Sequence, residues 1–328
     1  MQHNDDAFTA MLLTLPLSAN KEEMVRPLSS AEFSVLLERV EASSLRNMGD
    51  LIGMDISGIM SQLQLPEAEA YRLCMLLSRT MPLSYAMERY YEQSIDILTM
   101  MDAVYPARLT ERLKSDAPTA MYLCGDESIL SHPMIGILGI SGVKMDKKAE
   151  EGVRMLVRAI HNEGFGIITS SEPGACRVAE KEAFEIGAKL VCVLAGDLMK
   201  KKDEEMYAEA IARKQAVLVS LVHPDAPHTG VHAVSRNRVV YAMSHAAFIA
   251  TTDAKRGESE AMRKRLCDWL YVFDTPSPTG NRIVISRGAT PVQHIEKMNF
   301  SKYAENWRMA DAEQLSFFKA APLRYTGY

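Results

Sequence analysis

Apolar positions along the first part of the chain recur at helical spacing. In residues 30–42, Phe33, Leu36, Leu37 and Val40 share one face, with Ser29 or Ser30 placed to cap the start. Residues 51–65 and 68–81 repeat the pattern, and Pro66 stands near the start of the second segment, where a missing N–H is tolerated. Residues 84–93 continue it. The stretch predicts a small helical module without a long repeat. Residues 102–116, followed by Ala117 and Pro118, read as a connector.

From Met134 the texture changes. Met134–Gly139 is a short apolar run that enters a glycine-containing turn. Residues 147–163 carry Ala149, Val153, Leu156, Val157 and Ile160 on one stripe, closed by Gly164. Further strands are predicted at 165–169, 189–195, 216–221, 247–251 and 270–273. Helices are predicted at 177–186, 203–213, around 238–244 and at 258–266. Short runs buried on both faces and separated by amphipathic helices require βαβ crossovers. The predicted class is α/β: a Rossmann-like, doubly wound, mainly parallel sheet preceded by a small helical domain.

Composition narrows the function classes. The chain has 328 residues, 47% of them hydrophobic and 24% charged, which suits a globular protein with a real core and about two domains. Net charge is −5, so any nucleic-acid site must be a local basic patch. Five scattered cysteines without CxxC argue against a disulfide framework or a zinc ribbon and for a reducing, cytoplasmic setting. No apolar run approaches the ~20 residues of a membrane span, and no positive segment announces a signal peptide.

Ligands of an open parallel sheet bind beyond the carboxyl ends of its strands. That rule selects the loops at 139–145, 169–176, 196–202, 222–238, 252–259 and 275–282. Their glycines and hydroxyls let backbone N–H groups approach a phosphate or sugar. The candidates are Gly139, Ser141, Gly142, Lys144, Ser170, Ser171, Gly174, Gly196, Gly257 and Ser259, with Arg236, Asn237 and Arg238. Ser235–Arg238 reads as the start of a helix, where dipole and free N–H groups favour an anion. The competing reading makes its two arginines structural ties to carboxylates. Lys200–Lys202 and residues 263–265 suit solvated faces. His223, His228 and His232 lack the partners of a metal motif, and Cys176 suits a small packed residue better than an activated thiol. No P-loop, dinucleotide fingerprint or nucleophile–base pair is present, so neither cofactor nor turnover is expected. Glu172, Asp197, Asp253 and Glu258 are the carboxylates that would serve as a base if that expectation failed.

The order of segments resembles the DprA/Smf family of DNA-processing proteins. Tyr105-Pro106-Ala107-Arg108-Leu109, Asp116-Ala117-Pro118 and Leu123-Cys124-Gly125 look like its YPxxL, DxP and LYxxG run. Residues 235–244 (SRNRVVYAMS) reproduce its RNR segment, and Thr279–Asn281 with Arg287–Ala289 resemble its closing TGN and RGA. The resemblance spans roughly residues 105–289. It implies a domain of the SLOG superfamily, single-stranded DNA as partner, loading of RecA, and pairing as a homodimer. The chain would then divide into a SAM-like helical module at 1–100, a connector at 101–133, the Rossmann-like domain at 134–291, and a tail at 292–328 too short for a complete winged helix. That tail carries Phe300, Tyr303, Trp307, Phe317 and Phe318 and is expected to pack on the rest.

Departures from the pattern open alternatives. Gly139-Ile140-Ser141 replaces a Gly-Ser-Arg, so an arginine that helps bind DNA phosphate is missing and Lys144 stands in reach of the role. Gly174-Ala175-Cys176 replaces Gly-Ile-Asp, and residues 252–261 keep only Gly257 and Ser259 of a Ser-Gly-Ser pattern. DprA-like proteins also occur as antitoxins in phage-defence toxin–antitoxin pairs, which makes a cognate toxin the alternative partner. A nucleotide-processing enzyme like the LOG phosphoribohydrolases ranks last, because PGGxGTxxE is absent.

Overall fold

The computed structural model describes residues 3–18, 24–140, 145–255, 257–274, 279–295, 298, 300 and 302–303. Five helices come first: α1 (Asp5–Thr14), α2 (Ser30–Glu41), α3 (Ile56–Leu63), α4 (Glu67–Leu77) and α5 (Thr80–Glu92). Ser29 caps α2 in a reciprocal capping box with Glu32, satisfying two N–H groups that the helix itself cannot. Phe33, Leu36 and Val40 turn inward as their spacing predicts.

The rest of the chain alternates strands and helices. In order these are β1 (Asp96–Thr99), α6 (Ala107–Leu113), β2 (Ala120–Gly125), β3 (Met134–Gly139), α7 (Lys147–Asn162), β4 (Gly166–Thr169) and α8 (Ala175–Ile186). There follow β5 (Leu190–Leu194), α9 (Leu198–Lys202), α10 (Glu205–Ala212), β6 (Ala216–Ser220), α11 (Gly230–Met243) and β7 (Ser244–Thr251). Last come α12 (Glu258–Arg263), β8 (Trp269–Phe273), α13 (Thr279–Ser286) and β9 (Thr290–Val292). Among the described residues one sheet holds nine strands in the order β1-β2-β6-β5-β4-β3-β7-β8-β9. Only the β1–β2 and β2–β6 pairings are antiparallel.

Two cores flank this sheet, as alternation along its strands dictates. Ile135, Ile137, Ile167, Leu190 and Cys192 face α7, α8 and the helical module. Ile168, Val191, Val193, Val217 and Val219 face α6 and α11. Phe300 and Tyr303 are buried, with Phe300 6.0 Å from the Phe248 ring centroid, so the described part of the tail packs on β7 and β8. Trp307, Phe317 and Phe318 lie outside the described residues.

Two readings of the chain need correction. The stretch read as a connector holds β2 and α6, and β1 lies just before it, so the sheet begins at Asp96 rather than Met134. These strands are short, and a Pro-bearing segment hides them. The helix expected around 238–244 begins at Gly230, capped by the Thr229 side chain. Buried residues run round most of α11, so it lacks the single apolar stripe that marks a surface helix.

Candidate nucleic-acid interface

From β3 the chain builds β4, β5 and β6 outward on one side, then returns to lay β7 against the other side of β3. A crevice opens at such a switch point, beyond the carboxyl ends of the two strands. Gly139 ends β3 there. A Cβ at this position would lie 2.7 Å from Ala175 Cβ and 3.0 Å from Thr251 Oγ1, so only glycine lets the start of α8 close on the strand. Ile140 N–H donates to the Thr251 carbonyl at 3.2 Å, tying the two loops. Ser141, Gly142 and Lys144 lie outside the described residues.

The loop after β4 forms the next wall. Ser171 takes a positive φ of 50° without being glycine, and Gly174, at φ 100°, precedes the first turn of α8. Ser170 Oγ lies 3.3 Å from Cys176 Sγ. Burial pushes the Cys176 thiol up, so it is a packed residue and not an activated one.

Arg236 lies beneath this loop, its side chain only 4% exposed. It donates from Nη1 to the Ser170 carbonyl at 2.6 Å, from Nη2 to Glu172 at 2.9 Å, and from Nε to Asn237 Oδ1 at 3.1 Å. Burial raises the Glu172 carboxyl, but the Arg236 charge and hydrogen bond, with His228 Nε2 3.3 Å away, outweigh it and hold the group below its ordinary value. Arg238 points elsewhere. It pairs with Asp116 at 2.5 Å and Glu260 at 3.4 Å, and it lines a cavity of about 290 Å³ between the helical module and the sheet edge. Its hydrogen bond holds the Asp116 carboxyl low. Neither arginine stands at a helix start. The RNR run occupies the second and third turns of α11, so the expected helix-terminal anion site is not formed by these residues.

The remaining loops are ordered by glycine and carboxylate contacts. Gly196 adopts φ 144°, and a Cβ there would meet the Pro227 backbone at 2.6 Å, so the 226–228 segment crosses directly over it. Asp197 accepts from His228 N–H at 3.2 Å and pairs with Lys200, whose side chain is 85% exposed. Gly257, at φ 97°, leads into α12, and Ser259 accepts from Arg287 at 2.9 Å. Among the described residues no group of three or more His, Cys, Asp and Glu side chains is arranged to hold a metal. Nor is any described helix long and apolar enough to cross a membrane.

The family model described as DNA recombination-mediator protein A matches residues 96–301, more than half of the chain and the whole of the sheet. The chain belongs to this family. Its fold is similar to DprA from Streptococcus pneumoniae, with TM-score 0.65 at 15% identity over 92% of this chain and 100% of the other. It is also similar to DprA from Helicobacter pylori, in a structure described as giving the single-stranded DNA binding mode of that protein. There the TM-score is 0.51 at 18% identity over 66% of this chain and 96% of the other. No curated protein sequence matches the chain.

Within this DprA fold, two groups around the crevice escaped the sequence reading. Asn281 is fully buried. Its Oδ1 accepts from Thr252 N–H, and its Nδ2 donates to the Ala250 and Phe273 carbonyls, each at 2.9 Å. It therefore clamps the ends of β7 and β8 together, a role that the TGN motif does not itself disclose. Thr252 also donates to the buried Glu258. The second group is Glu180, buried in α8 and hydrogen-bonded to Thr169 and Tyr207. Its signal was present: a charged residue four positions after Cys176 and three before Ala183, on the inward stripe of the helix.

Proposed function

We propose that this DprA-family chain binds single-stranded DNA across the carboxyl-end crevice, by contact rather than by turnover, and passes the strand to RecA. Family membership over the whole sheet carries the reading, and the Helicobacter pylori relative of the same fold is described as a single-strand binder. Gly139, Ser170, Ser171, Gly174 and Gly196 would face the strand from one side, and Gly257 and Ser259 from the other. Lys144 and Lys200 would supply charge. Arg236, steadied by Asn237, acts from behind by holding the Ser170–Glu172 loop, and Arg238 by tying Asp116 to Glu260 of α12. Phosphate contacts of this kind give sequence-tolerant affinity that falls with salt.

We propose also that the particle is a two-fold dimer, in which one strand bridges two crevices with a gain in avidity. Sedimentation should give a dimer mass that falls on dilution; a monomer at every concentration contradicts the pairing. Recovery of the protein from its native cells separates the partner readings. Single-stranded DNA with RecA supports this one, whereas a stoichiometric small toxic protein replaces it with the antitoxin role.

A further inference from the structure

Glu180 is a carboxyl that none of the strand-facing contacts uses. It is fully buried, where an ionised group is costly unless paired. Its closest polar neighbours are hydroxyls and a thiol. Thr169 Oγ1 donates to Oε1 at 2.7 Å, Tyr207 donates to Oε2 at 2.5 Å, and Cys192 Sγ lies 3.8 Å from Oε1. Cys176 is a further titratable neighbour on the same helix. The cations that face this cluster, Arg177 from α8 and Lys201 from α9, sit 5.2 and 4.7 Å from the Tyr207 ring centroid and are shared with Glu204.

The cluster reaches the crevice through one residue. Tyr207 Oη lies 3.2 Å from Ser171 Oγ, and Ser171 is half-buried on the loop after β4. The left-handed conformation of Ser171 is unfavourable for a residue with a Cβ. Each hydroxyl in the chain Ser171–Tyr207–Glu180 has a single proton, so the direction of the whole chain is set at Glu180. With the carboxylate ionised, Tyr207 donates to Glu180 and its oxygen accepts from Ser171, so a ligand must compete with Tyr207 for the Ser171 proton. With Glu180 protonated, it donates to Tyr207, Tyr207 donates to Ser171, and the Ser171 proton is free to point into the crevice.

We propose that Ser171 donates to a phosphate oxygen of the bound strand, and that Glu180, acting through Tyr207, takes up a proton from solvent as the strand binds. This inference rests on the single-strand reading. Burial, opposed by the Tyr207 and Thr169 hydrogen bonds, already raises the Glu180 carboxyl in the free protein. A ligand that prefers the protonated form binds more tightly as pH falls.

The test is anisotropy of a labelled oligothymidylate with the full chain at constant ionic strength, between about pH 5 and about pH 8. The comparison of the parent with variants is what decides. The parent should tighten on acidification more steeply than Tyr207→Phe, which keeps the ring and removes the hydroxyl. Where Glu180 titrates, the excess should approach about tenfold per pH unit. Glu180→Gln, whose amide donates permanently to Tyr207, should bind at high pH as the parent does at low pH. Should Tyr207→Phe fail to fold, Ser171→Ala reads the same excess from an accessible position. Parallel pH profiles for parent and variants overturn the relay and leave single-strand binding intact. Absence of oligonucleotide binding at every pH overturns the single-strand reading, and the relay with it.

Discussion

Arg236 and Arg238 sit two residues apart on α11 and differ in what their removal costs. Arg236 and Glu172 form a buried pair, 4% and 11% exposed. Arg236→Ala leaves the Ser170 carbonyl unpaired and takes from Glu172 its buried cation, with the more exposed His228 still beside it, and should cost about 3–5 kcal/mol in urea unfolding. Arg238 pairs with carboxylates at the surface, 24% against 43% exposed, and Arg238→Ala should stay within about 1 kcal/mol. The two carboxyls of the crevice wall depend on pH with opposite signs. Glu172 is depressed in the fold, so its contribution is present above the unfolded carboxyl value and lost as pH falls through the folded one. Glu180 is raised, so its contribution is present below the unfolded value and lost as pH rises through the folded one. Melting curves should therefore show Glu172→Gln losing its penalty in acid, and Glu180→Gln gaining on the parent as pH rises. The composition of the wall was legible in the sequence as glycines, hydroxyls and an RNR run. Which arginine faced inward was not, because that depends on where α11 starts.

At the scale of elements, the end of the sheet is fixed by the first turn of α13. A Cβ on Gly280 would lie 1.9 Å from the Thr252 carbonyl oxygen, a backbone atom that cannot move aside without opening β7. Gly280→Ala should therefore destabilise by about 1–3 kcal/mol or more. Asn281→Asp keeps the acceptor for Thr252 N–H and deletes the donors to Ala250 and Phe273. It should cost about 1–3 kcal/mol for each carbonyl left unpaired, read as a lowered melting temperature. The parallel strands β3 to β8 were legible because burial on both faces makes them continuous apolar runs. By contrast, β1 spans only four residues, and α11 begins with Gly230 and Val231, weak helix formers that give no stripe.

For the whole molecule, charge distribution decides whether an acidic chain can hold a polyanion. The carboxyl-end edge presents Lys200 at 85% side-chain exposure, while Arg213, 61% exposed, follows α10 at the amino-end edge beside the start of β6. A strand bound in the crevice should sense the first and not the second. The most direct measurement is the affinity for a labelled single-stranded oligonucleotide as a function of salt, alongside its duplex. Single-strand binding in the crevice requires tighter binding of the single strand, with log affinity falling by about 0.7 per phosphate contacted for each decade of salt. It requires a shallower slope in Lys200→Ala and an unchanged slope in Arg213→Ala. Equal affinity for the duplex, a slope that Arg213→Ala lowers as much as Lys200→Ala does, or no binding at low salt would contradict it.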